Sequence, residues 1–227
     1  MELEHFETKT GFVFNNKALL RQAFTHRSYL NEHKGMGEHN ERLEFLGDAV
    51  LELVVSEFLY EKYPDRPEGE LTSYRAALVN TNSISEAAQE LDMNTHLLLS
   101  KGESKDTGRA RQFILANTFE AFIGALYMDQ GYNAAKKFIA QALFGKTDAV
   151  VEGRLWQDAK SRFQELVQER HGVTPHYELV DEEGPDHDKY FTAGVFISSE
   201  KVAEGTGKSK QEAEQSAAER ALKVKGW

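Results

Sequence analysis

Three acidic residues stand at helical spacing inside a strongly apolar segment. Glu41, Glu44 and Asp48 are three and four positions apart, so a helix would place them within an arc of about 60°. Apolar residues fill most of the remaining circumference, and a helix that is apolar nearly all round is usually buried. Buried carboxylates are costly unless they are paired or bound to a metal ion. The segment therefore predicts an acidic stripe with a chemical role, and Gly47 beside it indicates the close approach of another helix.

A second apolar segment, residues 113–126, carries the polar side chains Asn117 and Glu120 on one face and contains no Lys or Arg. Packing of the two segments would gather their carboxylates and the side-chain carbonyl of Asn117 around one point. Hard oxygen ligands without any cysteine favour Mg²⁺ or Mn²⁺. The pattern predicts a metal site built from Glu44, Asp48, Asn117 and Glu120.

The acidic residues are also compatible with three alternatives. A single acidic pair would more often be salt-bridged or exposed, but two apolar helices with the same feature favour a site. A di-iron centre would need Glu-x-x-His on two core helices. Only Glu2 and His5 have that spacing, and they stand at a terminus. A metal-dependent phosphohydrolase of small molecules would account for the acids as well.

The composition bounds the class of protein. With 227 residues, 40% hydrophobic and 28% charged, the chain is typical of soluble globular proteins with one large or two small domains. No apolar run is long enough to span a membrane, and the first residues lack a secretory pattern. The absence of cysteine excludes disulfides and thiolate metal sites. We therefore expect a cytoplasmic protein without a membrane segment.

The net charge of −10 is unfavourable for a protein that binds nucleic acid, because phosphate contacts need Lys and Arg. Division of the chain does not change this, since residues 157–227 carry 10 basic and 14 acidic side chains. Any affinity for RNA must therefore come from local clusters of basic and polar residues.

The chain divides into two parts by its hydrophobic periodicity. We predict an all-α domain over residues 1–147, with long helices at 40–60 and 113–129, and a linker over residues 148–156. Residues 157–227 predict a small α+β domain in the order helix, three strands, helix. Its helices are expected at 159–170 and 208–223, the second capped by Ser209, and its strands at 177–180, 190–198 and 201–205. Both helices must cover one face of the sheet.

Residues 40–48, which read NERLEFLGD, resemble the signature of the ribonuclease III family. The stretches THRS at residues 25–28 and ILA at residues 114–116 match the same family. The tail resembles a double-stranded RNA-binding domain, from DAK at residues 158–160 through GTG at residues 205–207. The resemblance covers essentially the whole chain in the bacterial domain order.

The resemblance implies a homodimeric, Mg²⁺-dependent endonuclease that cuts both strands of double-stranded RNA, with Mn²⁺ as a possible substitute. Its products would carry 5′-phosphates, 3′-hydroxyls and short 3′ overhangs, and its task would be RNA processing, including that of ribosomal RNA. Phe45 matches an aromatic residue that inserts into the partner subunit. The family's catalytic acids, to which two subunits contribute, match Glu41, Glu44, Asp48, Glu68 and Glu120, and Glu44, Asp48, Asn117 and Glu120 match its metal ligands.

The resemblance also implies which residues contact RNA. Gln164, Glu165 and His187 match contacts to the minor groove, and Lys208, Ser209 and Lys210 match the phosphate-binding start of the last helix. Glu212 adds an opposing charge at that helix end. We therefore expect weak, salt-sensitive binding that depends on duplex shape rather than on sequence.

Two positions depart from the family pattern. Asn117 stands where Asp is usual, which removes one negative charge from the metal site, and Phe113 stands where Ser is common. The first departure leaves a second function open. The chain would then be a double-stranded RNA-binding protein with a weakened catalytic centre.

Overall fold

The computed structural model describes residues 3–152, 159–185 and 189–227. Contacts divide the chain into two compact units, Met1–Trp156 and Gln157–Trp227. In the part of the chain that the structure describes, no helix has the length and apolar character needed to cross a lipid bilayer.

The first unit is helical. Its α-helices are α1 (Leu3–Thr10), α2 (Lys17–Ala23), α3 (Arg27–Glu32), α4 (Glu41–Lys62), α5 (Glu68–Val79), α6 (Thr81–Glu90), α7 (Arg109–Gln130), α8 (Tyr132–Leu143) and α9 (Thr147–Glu152). Short 3-10 turns occur at Met93–His96, Glu103–Lys105 and Phe144–Lys146. Both predicted long helices exist, and α7 begins four residues before the predicted start. Part of the predicted linker is helical, because α9 continues to Glu152.

Helix α7 is the central helix of the first unit, which explains its apolar composition. Its residues from Ile114 to Leu126 are buried except for Asn117 and Glu120. Phe122 packs edge-to-face against Phe6 and contacts Phe138 at a ring separation of 4.7 Å. These aromatic contacts fix the rotation of α7 about its axis, and this rotation turns Asn117 and Glu120 towards α4.

The second unit has the predicted order. Helix α10 (Ala159–His171) precedes strands β1 (His176–Glu183), β2 (Tyr190–Ile197) and β3 (Glu200–Gly207), and α11 (Lys210–Lys225) closes the unit. The strands form an antiparallel sheet in the order β1-β2-β3. Strand β1 continues through acidic residues beyond its predicted end at Val180, because backbone pairing with β2 needs no apolar side chain and one sheet face is open to water.

Both helices of the second unit cover one face of the sheet, as predicted. Phe163 and Val167 of α10 and Leu222 of α11 join Val195 in one buried cluster. Gly205 lets α11 lie against β3, because a Cβ atom there would stand 2.0 Å from the backbone nitrogen of Ala217.

Candidate functional site

The candidate site lies where α4 and α7 cross, and two glycines make the crossing close. A Cβ atom on Gly47 would lie 1.7 Å from the backbone oxygen of Glu120. A Cβ atom on Gly124 would lie 2.1 Å from the backbone oxygen of Leu43. The two backbones are therefore in direct contact, which confirms the expected reason for Gly47. The contact also brings the acids of α4 beside Glu120.

Glu120 is a partly buried carboxylate on α7 that faces two further acids. Burial raises its pKa from 4.5 to about 8, and the charges of Asp48 and Glu44 act in the same direction. No Lys or Arg within the described residues offsets these effects. Such a carboxylate is costly to ionise in the folded chain unless a cation binds beside it.

Glu44 is coupled to the same cluster. Burial raises its pKa, the charges of Glu41 and Asp48 add to the rise, and a hydrogen bond from the Asn117 side chain opposes it. Asn117 thus lies beside Glu44, as the sequence predicted, and acts there as a donor. An aspartate at this position could not donate in its ionised form and would add a further negative charge.

The acidic stripe of α4 is less buried than the sequence indicated. Asp48 is exposed, and the Glu41 side chain is 48% exposed, pairs with Arg27 at 3.6 Å and lies 3.8 Å from the His39 ring nitrogen. In the single chain α4 is not buried on all sides, so that expectation was wrong. Phe45 and Leu53 on α4 are 82% and 57% exposed, so water covers one face of the helix.

The geometry fits a cation that completes its shell from outside the protein. Within residues 3–152, 159–185 and 189–227, no three His, Asp or Glu side chains form a complete metal site by themselves. Carboxylates of α4 and α7 nevertheless share an uncompensated negative charge, and the Asn117 carbonyl stands beside them. Mg²⁺ commonly binds through one or two carboxylates and fills its other positions with water and substrate phosphate.

A cavity of about 620 Å³ opens beside this cluster. Glu44 and Asn117 form part of its wall, and Phe113, which is 45% exposed, forms another part. The start of α3, with His26 and Arg27, forms a further part of the wall. The two positions that depart from the family pattern, Phe113 and Asn117, therefore face the same cavity.

Glu68 lies elsewhere in the first unit. It begins α5, accepts a hydrogen bond from the Thr72 hydroxyl at 2.8 Å and lines a groove with Leu53 and Tyr60 of α4. That groove contains none of the other predicted metal residues. Within one chain, therefore, the structure does not bring Glu68 into the candidate centre.

The described residues among the predicted RNA contacts of the second unit lie on α10 or at the start of α11. Gln164 lines a cleft between α10 and α11, together with Ser209 at the start of α11. Glu165 follows on α10, while Lys208 and Lys210 flank Ser209. The structure thus brings five of the six predicted contacts onto α10 and the start of α11. His187 lies outside the described residues.

The start of α11 has a capping arrangement that includes the unexpected acid. The Ser209 hydroxyl accepts a hydrogen bond from the Glu212 backbone nitrogen at 3.1 Å, which confirms the predicted cap. The Glu212 carboxylate accepts in return from the Lys208 backbone nitrogen at 2.8 Å. The Lys208 ammonium lies 5.3 Å from the centre of the Tyr190 ring. Glu212 therefore stabilises the helix start by placing a negative charge there.

Comparison with known proteins identifies both units. A family model described as Ribonuclease-III-like matches residues 16–147, and one described as Double-stranded RNA binding motif matches residues 159–225. The chain belongs to the ribonuclease III family. It is 50% identical to "Ribonuclease 3" of Enterococcus faecalis over 94% of this chain and 93% of that protein. It is 49% identical to "Ribonuclease 3" of Natranaerobius thermophilus over 96% of this chain and 94% of that protein.

A solved structure supports the same assignment. The nuclease domain of ribonuclease III from Campylobacter jejuni is similar with a TM-score of 0.56 and 39% identity, over 62% of this chain and 98% of that one. That domain is described as structurally flexible in a region involved in dimer formation. The family resemblance is thus confirmed, and this ribonuclease III family member carries a nuclease domain followed by a double-stranded RNA-binding domain.

The sequence did not single out the cavity wall at the start of α3. The THRS stretch contributed to the resemblance, but no role was assigned to His26, Arg27 or Ser28. A backbone bridge between Thr25 and Leu98 helps to place these residues opposite Asn117. Such pairing between distant segments produces no periodic pattern in the sequence. No sequence signal distinguishes Arg27, because Lys34 lies closer to the acidic motif and Arg42 lies within it.

Proposed function

We propose that this chain is a divalent-metal-dependent endoribonuclease that hydrolyses phosphodiester bonds in both strands of double-stranded RNA. Its products would carry 5′-phosphate and 3′-hydroxyl ends with short 3′ overhangs, and its substrates would be precursors in RNA processing. The observation that carries the proposal is the cluster of Glu120, Asp48 and Glu44, which the close crossing of α4 and α7 holds together and in which no basic side chain favours ionisation of Glu120.

The side chains of the centre have distinct parts in this chemistry. Glu120, Asp48 and Glu44 would hold the cation, with the Asn117 carbonyl as a neutral fourth oxygen. Magnesium, or manganese in its place, would polarise the phosphate and lower the pKa of bound water. Because Glu120 holds a proton up to about pH 8 when no cation is bound, binding of the ion must displace that proton. Affinity for the ion should therefore rise with pH.

The exposed face of α4 supports a homodimer. Phe45 and Tyr60 of α4 are 82% and 75% exposed, which is unusual for aromatic side chains. A cavity of about 570 Å³ adjoins Phe45 and is lined in part by Leu46 and Met128. A two-fold contact of this face with itself would bring each Phe45 to the cavity of the partner. Glu68, which lines the groove beside Tyr60, would then lie at the interface and could complete the partner's centre.

The second unit would hold the duplex through the cleft between α10 and α11. Hydroxyl and amide groups dominate this cleft, among them Gln164 and Ser209. Such groups suit contacts to ribose hydroxyls and phosphates, which read the shape of a duplex rather than its sequence.

The alternative function, a binding protein that does not cut, has no support from the comparisons, because relatives with about half of their residues identical are named as ribonucleases. The neutral Asn117 is compatible with turnover, since its carbonyl remains an oxygen ligand. The cytoplasmic location expected from the sequence stays a prediction.

The first experiment is incubation of an end-labelled RNA hairpin with the protein in Mg²⁺, Mn²⁺ or EDTA, followed by a denaturing gel. Discrete products that depend on the cation are expected, and Glu120→Gln should reduce their rate by about a thousandfold or more. That variant should still shift the hairpin on a native gel, because the second unit is unchanged. An intact hairpin in both cations would contradict the proposed activity, whatever the native gel shows.

A further inference from the structure

One basic side chain stands in the wall of the cavity beside the candidate centre. Arg27 begins α3, and its side chain is 72% exposed. Across the cavity lie Asn117 and Glu44, two of the residues that the proposed function assigns to the cation. Arg27 is the only Lys or Arg among the described residues that line this cavity, whereas Glu41, Glu44 and Glu103 all contribute carboxylates.

The start of α3 is held firmly in this position. The backbone oxygen of Thr25 accepts from the backbone nitrogen of Asn40 at 2.9 Å, which joins the start of α3 to the start of α4. His26 donates its backbone N–H to the Leu98 oxygen at 3.1 Å, and the Ser28 hydroxyl accepts from the Ser100 backbone nitrogen at 3.1 Å. The base of Arg27 is thus fixed relative to the acids of α4, while its guanidinium extends into solvent.

The guanidinium is only loosely engaged by the protein. Its nearest acid is Glu41, at 3.6 Å between nitrogen and oxygen, which is too long for a good hydrogen bond. Exposed ion pairs of this kind contribute little to stability, so a stronger anion can replace Glu41 at small cost. A phosphate is such an anion, because the planar guanidinium binds two of its oxygens at once.

We propose that Arg27 binds a backbone phosphate of the RNA strand that is being cut, next to the phosphate held at the cation. This assignment rests on the proposed function and specifies one substrate contact of the same centre. The reason is charge: an RNA strand that passes this cavity meets three carboxylates that repel its phosphates, and among the described lining residues the Arg27 guanidinium is the one Lys or Arg group that attracts them. Arg27 is therefore a substrate-binding residue that sets where the strand lies relative to Glu44 and Asn117.

The test removes charge from the arginine and from single phosphates in turn. A series of hairpins has one sequence, and each member carries a neutral methylphosphonate at a different linkage, up to two linkages on either side of the cut. In all substrates, including the parent without a methylphosphonate, the sugars that precede these linkages are 2′-O-methylated. Single-turnover cleavage is measured for the wild-type chain and for Arg27→Gln. The parent hairpin should be cut about 10- to 100-fold more slowly by Arg27→Gln, the loss expected for a hydrogen-bonded charged contact.

The decisive result is whether the fall in cleavage rate caused by Arg27→Gln disappears when one particular phosphate is already neutral. At one position the methylphosphonate should slow the wild-type chain about tenfold or more and slow Arg27→Gln less than about threefold, because the contact is already absent. Equal slowing of both proteins at every linkage would overturn the assignment and would fit a residue that only orients Glu41. Cleavage of the parent by Arg27→Gln at the wild-type rate would overturn it as well.

Three controls separate this inference from loss of the fold or of the proposed function. Arg27→Lys keeps the positive charge and should recover part of the rate and the sensitivity at the same linkage. Arg66→Gln removes an arginine that is 52% exposed and pairs with Glu70 outside the cavity, and it should cut every hairpin as the wild-type chain does. A wild-type chain that leaves the parent uncut would overturn the proposed function first and this contact with it.

Discussion

The acidic side chains of the two units differ in how their charge is balanced. In the nuclease unit, Glu120 and Glu44 have raised pKa values because burial and neighbouring acids oppose ionisation. In the RNA-binding unit, Lys189 donates a hydrogen bond to Glu182 and lowers the pKa of that carboxyl. Glu214 pairs similarly with Lys160 at 2.6 Å. Glu182 and Glu214 of the second unit are thus each matched by a lysine, whereas Glu120 and Glu44 of the centre are surrounded by further acids.

This difference explains why a net charge of −10 is compatible with RNA as a substrate. Net charge is a poor guide to RNA affinity because salt screens exposed charges that lie more than about 10 Å from a ligand, so that the charges close to the bound RNA decide. Where an RNA strand would be cut, the acids that matter are Glu44, Asp48 and Glu120 at the α4–α7 crossing, and a metal ion can neutralise them. The location of unmatched charge is therefore more informative about function than its sum.

The largest effect is expected from a change that separates the two helices of the centre. Gly47→Ala places a methyl group 1.7 Å from the Glu120 backbone oxygen, so the helices must move apart. We expect a loss of more than about 3 kcal/mol in the free energy of unfolding, or no folded protein, because backbone atoms cannot repack as side chains do. Thermal unfolding followed by circular dichroism measures the change.

Gly69→Ala is the matched control for this prediction. Gly69 lies in α5, and a Cβ atom there would meet no atom within 4 Å. The same substitution should therefore stabilise the chain slightly through helix propensity. Similar melting temperatures for both variants would show that α4 and α7 are further apart than in the structure. Glu120 would then not be held against the acids of α4, and its contrast with the lysine-paired acids of the second unit would have no geometric basis.

A second prediction concerns the energetic cost of the unmatched charge. The pKa of Glu120 lies near 8 in the folded chain and near 4.5 when exposed, so the folded chain keeps a proton that the unfolded chain releases between these values. The free energy of unfolding must therefore fall as the pH rises through that window. Glu120→Gln removes this cost, and without divalent ions it should be more stable than the wild-type chain by on the order of 2–3 kcal/mol at pH 9, but by little at pH 5.

Addition of Mg²⁺ sharpens this second prediction. The ion should raise the melting temperature of the wild-type chain at pH 8, because it binds the folded state and neutralises the acids. Glu120→Gln should respond much less. A variant that is less stable than the wild-type chain at every pH would mean that Glu120 is balanced inside the protein, as the acids of the second unit are.

The sequence predicted the elements of this molecule well and their exposure less well. Periodicity located α4 and α7, and turn residues located the strands, because these are local properties of the chain. The two long helices have similar apolar content, yet α7 is surrounded by its own unit, while α4 keeps Phe45 at 82% exposure. Burial depends on how many elements surround a helix, and the composition of the helix alone does not contain that number.

The candidate centre was predictable in part, because the spacing of residues along a helix is also a local property of the chain. The spacing of Glu44 and Asp48 and of Asn117 and Glu120 fixed which side chains share a helix face, and packing of the helices brought the faces together. The contribution of α3 was not predictable, because the position of Arg27 depends on backbone pairing of residues 24–26 with Leu98 and Asn40.

A third prediction concerns a substitution that adds a negative charge to the centre. Asn117→Asp introduces a carboxylate and removes the donor to Glu44, so the variant should unfold at a lower temperature than the wild-type chain in EDTA. The same carboxylate should bind the ion more tightly and lower the Mg²⁺ concentration for half-maximal cleavage by about tenfold. Titration of initial cleavage rates with Mg²⁺ measures this. A clear loss of rate at all concentrations would indicate a centre adapted to the neutral amide.

The smallest effect is expected in the RNA-binding unit, where removing one acid changes affinity without disturbing the cap. Glu212→Gln keeps an oxygen that can accept from the Lys208 backbone nitrogen, and it removes a negative charge from the helix end that would face phosphate. Affinity for duplex RNA in EDTA should rise by about threefold, with a steeper dependence on salt, as measured by fluorescence anisotropy. Glu219→Gln makes the same change of net charge further along α11 and should leave affinity nearly unchanged. An equal gain in both variants would mean that net charge governs binding, and the comparison between matched and unmatched acids would then not extend to RNA affinity.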